Sequence, residues 1–134
     1  MYSGEKPVKK VIIIVVIVVV AIGSIDPYSS HVIESGFKEK KPDKVMSGAL
    51  WKMRMFSYGS ALNAYKKLLK KFPDCKERGD AQYYIGYCLE KTDRNKEAIK
   101  ALEEYLSGWP NGDFASIAKQ RLSSLKSNSM EEQE

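Results

Sequence analysis

The sequence is poor in the residues that carry chemistry. It has one histidine, His31, and two cysteines, Cys75 and Cys88. There is no CxxC pair, no GxSxG turn, no phosphate-cradling glycine loop and no cluster of metal-ligating side chains. The acids are scattered over polar stretches. These absences argue against an enzyme, against a bound metal or cofactor, and against a small-molecule substrate. Two cysteines are also too few for a disulfide framework. On a helix over 76–91 they stand roughly 18 Å apart at ~1.5 Å per residue. A bridge tolerates about 7 Å between Cα atoms. Cys88 reads as a small core residue, Cys75 as a loop residue and His31 as a solvated linker residue.

Charge is missing altogether from one stretch, "VIIIVVIVVVAIGSI", Val11 to Ile25. Lys6, Lys9 and Lys10 precede it, and no Lys or Arg follows until Lys38. That asymmetry predicts an inside N-terminus and an outside C-terminal domain. The helical run spans roughly 22 Å, short of a ~30 Å hydrocarbon core. Val8 and the snorkelling stems of Lys9 and Lys10 lengthen it, which makes residues 8–25 the expected membrane segment. Two readings stand. One is an uncleaved anchor, which the Val and Ile composition favours. The other is a cleavable secretory signal, with Ala21 and Gly23 ahead of a cut at Ser24. Both export the rest of the chain. No cysteine follows the run directly, which excludes a bacterial lipoprotein.

Residues 26–42 carry Pro27 and Pro42 as breakers and a run of lysines. They are expected to form a tether with room for one short helix around Ser30–Gly36. If it folds back, Lys38 to Lys44 reach anionic headgroups. The remaining chain is rich in Ala, Leu, Lys and Tyr, which suits helices. Net charge is +5, unevenly placed. Residues 52–78 are strongly basic, whereas residues 79–134 are acidic and end in "EEQE". Such a division orients a partner and does not suggest nucleic-acid binding. The ridge Lys66, Lys67, Lys70 and Lys71 reads as a solvated face, or as a contact for headgroups or an acidic partner.

A repeat organises the second half. Shifting the sequence by 37 positions aligns Ala61 with Ala98, Ala64 with Ala101, Tyr65 with Leu102, Phe72 with Trp109 and Pro73 with Pro110. Only apolar and proline positions hold register, as a repeated packing unit requires. Each copy predicts two helices: Asp43–Met55 with Tyr58–Lys71, then residues 76–91 with the stripe Ala98, Ala101, Leu102, Tyr105, Leu106. Asp74 and Glu77 suggest a capping box for the helix over 76–91. A closing stripe follows in Phe114, Ile117, Ala118, Leu122 and Leu125.

The second copy resembles a tetratricopeptide repeat. Ile85 and Gly86 take the family's Leu-Gly place, Leu89 its Tyr place, and Ala98, Leu102 and Pro110 its Ala, Phe and Pro places. The first copy keeps Ala61, Tyr65 and Pro73. Gln82 stands where a large aromatic is usual, and Ala49 where Gly is usual. The 37-residue period is similar to that of the exported bacterial subgroup, which includes the Tol-Pal coordinator and the tetratricopeptide lipoprotein of outer-membrane assembly. The chain lacks the lipobox of the second and the coiled coil of the first.

The resemblance implies an all-α fold, a short helical-hairpin solenoid of two repeats plus a capping helix behind a single N-terminal transmembrane helix. The expected divisions are 1–25 as anchor or signal, 26–42 as tether, 43–127 as the helical domain and 128–134 as a disordered acidic tail. Gly86 and Ala98 are small because the hairpin helices cross there, and Pro73 and Pro110 end each unit. The family's ligand groove maps to Asp80, Tyr83, Tyr84, Tyr87, Glu90 and Lys91; the alternative for Tyr84 and Tyr87 is packing on the neighbouring first helix. The implied function is a membrane-anchored interaction module binding a segment of another envelope protein. The alternative is an accessory single-span subunit of a larger membrane complex. The implied location is the bacterial cytoplasmic membrane, with the domain in the periplasm or outside. Two hairpins are few for a solenoid, so the isolated domain is expected to be marginal and to gain stability from its partner.

Overall fold

The computed structural model describes residues 7–131, and the side chains of residues 7, 21–26, 130 and 131 lie outside that description. Residues 1–6 and 132–134, parts of the expected anchor and acidic tail, are also outside it. Six helices make up the described elements: α1 (Pro7–Lys38), α2 (Pro42–Arg54), α3 (Tyr58–Lys71), α4 (Arg78–Glu90), α5 (Asn95–Gly108) and α6 (Ala115–Glu131). Each packs chiefly on the next in the chain. That is the contact pattern of stacked helical hairpins.

The two hairpins repeat down to their backbone angles. Phe72 and Trp109 end α3 and α5 at φ −130°, ψ 66° and φ −134°, ψ 65°. Pro73 and Pro110 follow them and cannot extend the helix. The turns inside the hairpins also match. Phe56 and Asp93 sit at φ 60° and 57°. The next amides, of Ser57 and Arg94, donate to the carbonyls of Lys52 and Leu89 at 2.9 and 3.0 Å. This is the six-to-one bond that closes a helix through a left-handed residue.

Most positions expected to pack the repeat lie inside, whereas Pro73 and Pro110 are exposed and act by ending a helix rather than by packing. Ala61, Tyr65, Leu68, Ala81, Ala98 and Leu102 are fully buried, and Ile85 and Leu89 nearly so. A Cβ on Gly86 would meet Leu102 Cδ2 at 2.8 Å, so α4 and α5 touch there with no space for a side chain. Ile117, expected on the buried stripe of the closing helix, is 41% exposed instead. The capping box does not form: Glu77, not Asp74, is the residue before α4, and no side-chain cap bond is made.

The expected tether is helical. α1 runs through Pro27 to Lys38, and its second half packs on α2. Pro27 removes one i to i−4 hydrogen bond without ending the helix. Two glycines permit the close approach. A Cβ on Gly36 would lie 2.8 Å from the Val45 nitrogen, and one on Gly48 would lie 2.6 Å from Ile33 Cγ1. Phe37 joins the core and stacks on Phe72 at 6.1 Å. The second half of α1 therefore acts as a half-repeat ahead of the first hairpin. Lys38 ends a helix leading away from the apolar run, so the Lys38–Lys44 cluster does not fold back along it. At the other terminus the expected disordered tail is helical as far as Glu131.

From Val8 to Val20, every Val and Ile of α1 is roughly half exposed or more. Among the described residues no helix is long and apolar enough to cross a membrane. The expected segment 8–25 runs on into residues 21–26, whose side chains are not described.

Candidate functional site

The face built by the first helix of each hairpin, α2 and α4, and by the closing helix α6 carries the expected groove residues. α4 is the middle helix of this face and is flanked on both sides. Asp80 and Lys91 are exposed, and Tyr84, Tyr87 and Glu90 are half-buried. These five share an accessible strip.

Tyr83 does not belong to it. It is 3% exposed and lies flat against Phe114, with ring centroids 4.3 Å apart. Its edges meet Tyr84 and Tyr105 at 5.3 and 5.7 Å. The expectation that Tyr83 lines the groove is corrected for a physical reason. α6 and the segment before it cover that side of α4, so the position is a helix–helix contact.

Arg121 organises the strip, and sequence reasoning missed it. Its Nη1 donates to both Glu90 carboxylate oxygens, at 2.9 and 2.8 Å. Its Nε donates to the Tyr83 hydroxyl at 3.3 Å, and its guanidinium covers the Tyr87 ring at 4.5 Å. Burial opposes the charge on Arg121, but Glu90 and Tyr83 together outweigh it and raise its pKa. Glu90 is therefore a brace between α4 and α6 more than a free groove acid. One signal was available: Arg121 stands 37 residues after Tyr84, so it takes the groove position of the next layer.

The aromatic part of the strip is held from beneath. Tyr84 stacks on the buried Tyr65 at 5.5 Å and meets Phe114 edge-on. Tyr87 meets Tyr58 at 6.0 Å, and the Lys91 ammonium lies 5.6 Å from its ring. Desolvation raises the pKa of both phenols, and the charge of Asp80 adds to this at Tyr84. Asp80 is itself raised, first by desolvation and then by Asp113 and Glu77. Arg54 of α2 lies close enough to act on Tyr84 with the opposite sign. The result is two tyrosine rings set in place, with Asp80 at one end and Arg54 and Lys91 nearby.

This arrangement offers apolar area with hydrogen-bonding tips and both charge signs, which suits recognition. It contains no nucleophile paired with a base. Among the described residues no group of three or more His, Cys, Asp or Glu is placed to hold a metal ion. A depression on the far side, between the ends of α3 and α5, is lined by Leu69, Arg78, Gln82, Glu104 and Trp109. Arg78 already covers the Trp109 ring there, at 5.8 Å.

Residues 80–112 match the family described as tetratricopeptide repeat. The matched span covers most of α4, all of α5 and the turn past Pro110. The first hairpin repeats the same backbone geometry outside the matched span. Repeats of this family generally mediate protein–protein interaction. No curated protein matches the chain.

Proposed function

We infer, from the tetratricopeptide repeat at residues 80–112, that the chain is a non-enzymatic interaction module held at a membrane by α1. The strip of Tyr84 and Tyr87 takes an extended segment of another protein, and Arg54 and Lys91 favour acidic residues in it. The carrying observation is that both rings are positioned by neighbours yet remain half-buried. A pre-set aromatic surface binds with less ordering cost than a mobile one.

Membrane attachment is supported by the exposed apolar helix from Val8 to Val20. Such a large apolar surface has no aqueous solution and needs a cover. The lysines before it favour an inside N-terminus. The domain then lies in the periplasm or its equivalent outside the cytoplasmic membrane.

Capture from native membranes tests the module. The full chain in mild detergent should retain a partner that the Tyr87→Ala, Lys91→Ala double variant loses more than tenfold, while Lys100→Ala keeps it. Equal capture by all three chains removes the strip as the binding surface. An export-dependent C-terminal reporter and a carbonate wash test attachment. Cytoplasmic reporter activity removes the orientation, and release into the wash removes the anchor.

A further inference from the structure

Four large apolar residues lie exposed near one end of the helical stack. Trp51 is 46% exposed, Met55 37%, Phe56 78% and Tyr28 66%. Phe56 and Tyr58 pair edge-on at 6.2 Å, which continues the patch across the turn between α2 and α3.

The repeat shows that the fold does not require this patch. Phe56 and Asp93 occupy the same turn position 37 residues apart, both at positive φ. Aspartate tolerates that conformation, whereas a bulky side chain is strained in it. Trp51 likewise stands where the next repeat has Cys88, which is fully buried. The first hairpin thus holds exposed aromatic residues at positions where the second has a turn former and a small core residue.

The position of the patch along α1 suggests what covers it. Gly36 faces Val45, and Gly48 faces Ile33 and the Ser29 carbonyl. These pairings make α1 and α2 antiparallel, so α2 leads back toward the apolar half of α1. From Gly48 to Phe56 the rise is roughly 12 Å at 1.5 Å per residue. The same rise back along α1 from residues 29–33 reaches residues 21–25, where the apolar sequence ends. Tyr28 follows directly. The equivalent turn one layer further away is Lys91 to Arg94, polar and charged throughout.

We propose that Trp51, Met55, Phe56 and Tyr28 form an interfacial ledge that seats the α2–α3 turn in the headgroup layer of the bilayer entered by α1. Aromatic side chains with a polar tip favour that depth, and Phe and Met contribute apolar area just below it. The ledge rests on the membrane reading of α1. It fixes which end of the stack meets the lipid, leaving Trp109, at the opposite end of α5, away from it.

The two tryptophans make the test direct. The chain is reconstituted alone in phosphatidylcholine vesicles that contain lipid with a nitroxide near the headgroup end of the acyl chain. In Trp109→Phe, where only Trp51 emits, emission should fall at least twofold. In Trp51→Phe, where only Trp109 emits, it should hardly change. Phe56→Asp should melt at the same temperature or higher and should halve the quenching of Trp51. Equal quenching at both tryptophans, or unchanged quenching in Phe56→Asp, overturns the ledge. Flotation of the washed vesicles separates the two ideas. A chain that floats with Trp51 unquenched loses only the ledge; a chain that does not float loses the membrane reading as well.

Discussion

Tyr83 lies parallel to Phe114, ring planes within 3° and centroids 4.3 Å apart. Tyr87, one turn further along α4, is half-buried at the edge of the core, with Tyr58 and the Arg121 and Lys91 cations against its ring. The two tyrosines should therefore separate cleanly. Tyr83→Ala removes a buried aromatic and should cost about 3–5 kcal/mol. Tyr87→Ala loses a part-buried cation–π contact and should cost about 1–2 kcal/mol. Urea melts followed by circular dichroism measure both. Similar losses would return Tyr87 to the core.

Glycines at two kinds of site should respond with opposite signs. Gly59 lies in α3 with nothing within 4 Å of an added Cβ. It sits in the first turn, so Gly59→Ala should gain up to about 0.5 kcal/mol from helix propensity, less than a mid-helix site would. At Gly86 the same methyl meets Leu102 at 2.8 and 2.9 Å. Overpacking of about 1–3 kcal/mol should outweigh the propensity gain there. Thermal melts in which both variants shift in one direction would contradict this contact geometry.

Tyr65 is fully buried, and its hydroxyl has no hydrogen-bond partner. Such a group carries a desolvation cost of about 1–3 kcal/mol. Tyr65→Phe keeps the stack on Tyr84 and removes the orphan, so it should be neutral or stabilising. A clear loss of stability would mean that the hydroxyl is satisfied in solution, by water or by a local shift.

Alkaline pH should weaken the fold. Burial pushes the Cys88 thiol up to about 12. It also raises the phenols of Tyr65, Tyr84, Tyr87 and Tyr105. In the unfolded chain these groups ionise near 9–10. Above that range the unfolded state binds fewer protons than the folded state, so stability falls as pH rises. For Cys88 the window runs from about 9 to about 12. Urea midpoints at pH 8 and 10.5 should drop less in Cys88→Val than in the parent. Equal drops would mean that Cys88 is not protected from ionisation.

The half-repeat in α1 should be measurable as stability. A fragment of residues 27–131 retains the Gly36–Val45 and Phe37–Phe72 contacts, whereas residues 43–131 lose both. The longer fragment should melt at least several degrees higher. Equal melting temperatures would reduce α1 to a passenger.

Much of the fold was legible because the repeat fixes its apolar and proline positions. Tyr58–Lys71 was read to the residue, and Ala98, Leu102 and Pro110 took their family places. What was hidden depended on neighbours. Residues 27–38 lack a clear apolar stripe, since the large apolar contacts there come from Ile33 and Phe37, with the small Ser29 and Gly36 beside them. Proline and the lysines then looked like a break. Tyr83 misled for the opposite reason. A helix wheel assumes one buried face, but α4 is contacted by α3, α5 and the α6 region. Arg121 drew no notice because its partners, Glu90 and Tyr83, are distant in sequence.

Because α1 is one helix from Pro7 to Lys38, its two halves share a rotational phase. Each residue turns the helix by about 100° and lengthens it by about 1.5 Å. The bearing of the tyrosine strip around the apolar segment is therefore encoded in the residue count between Val20 and Ser29. One inserted residue there would lift the stack hardly at all, but would swing the strip more than a quarter of a circle.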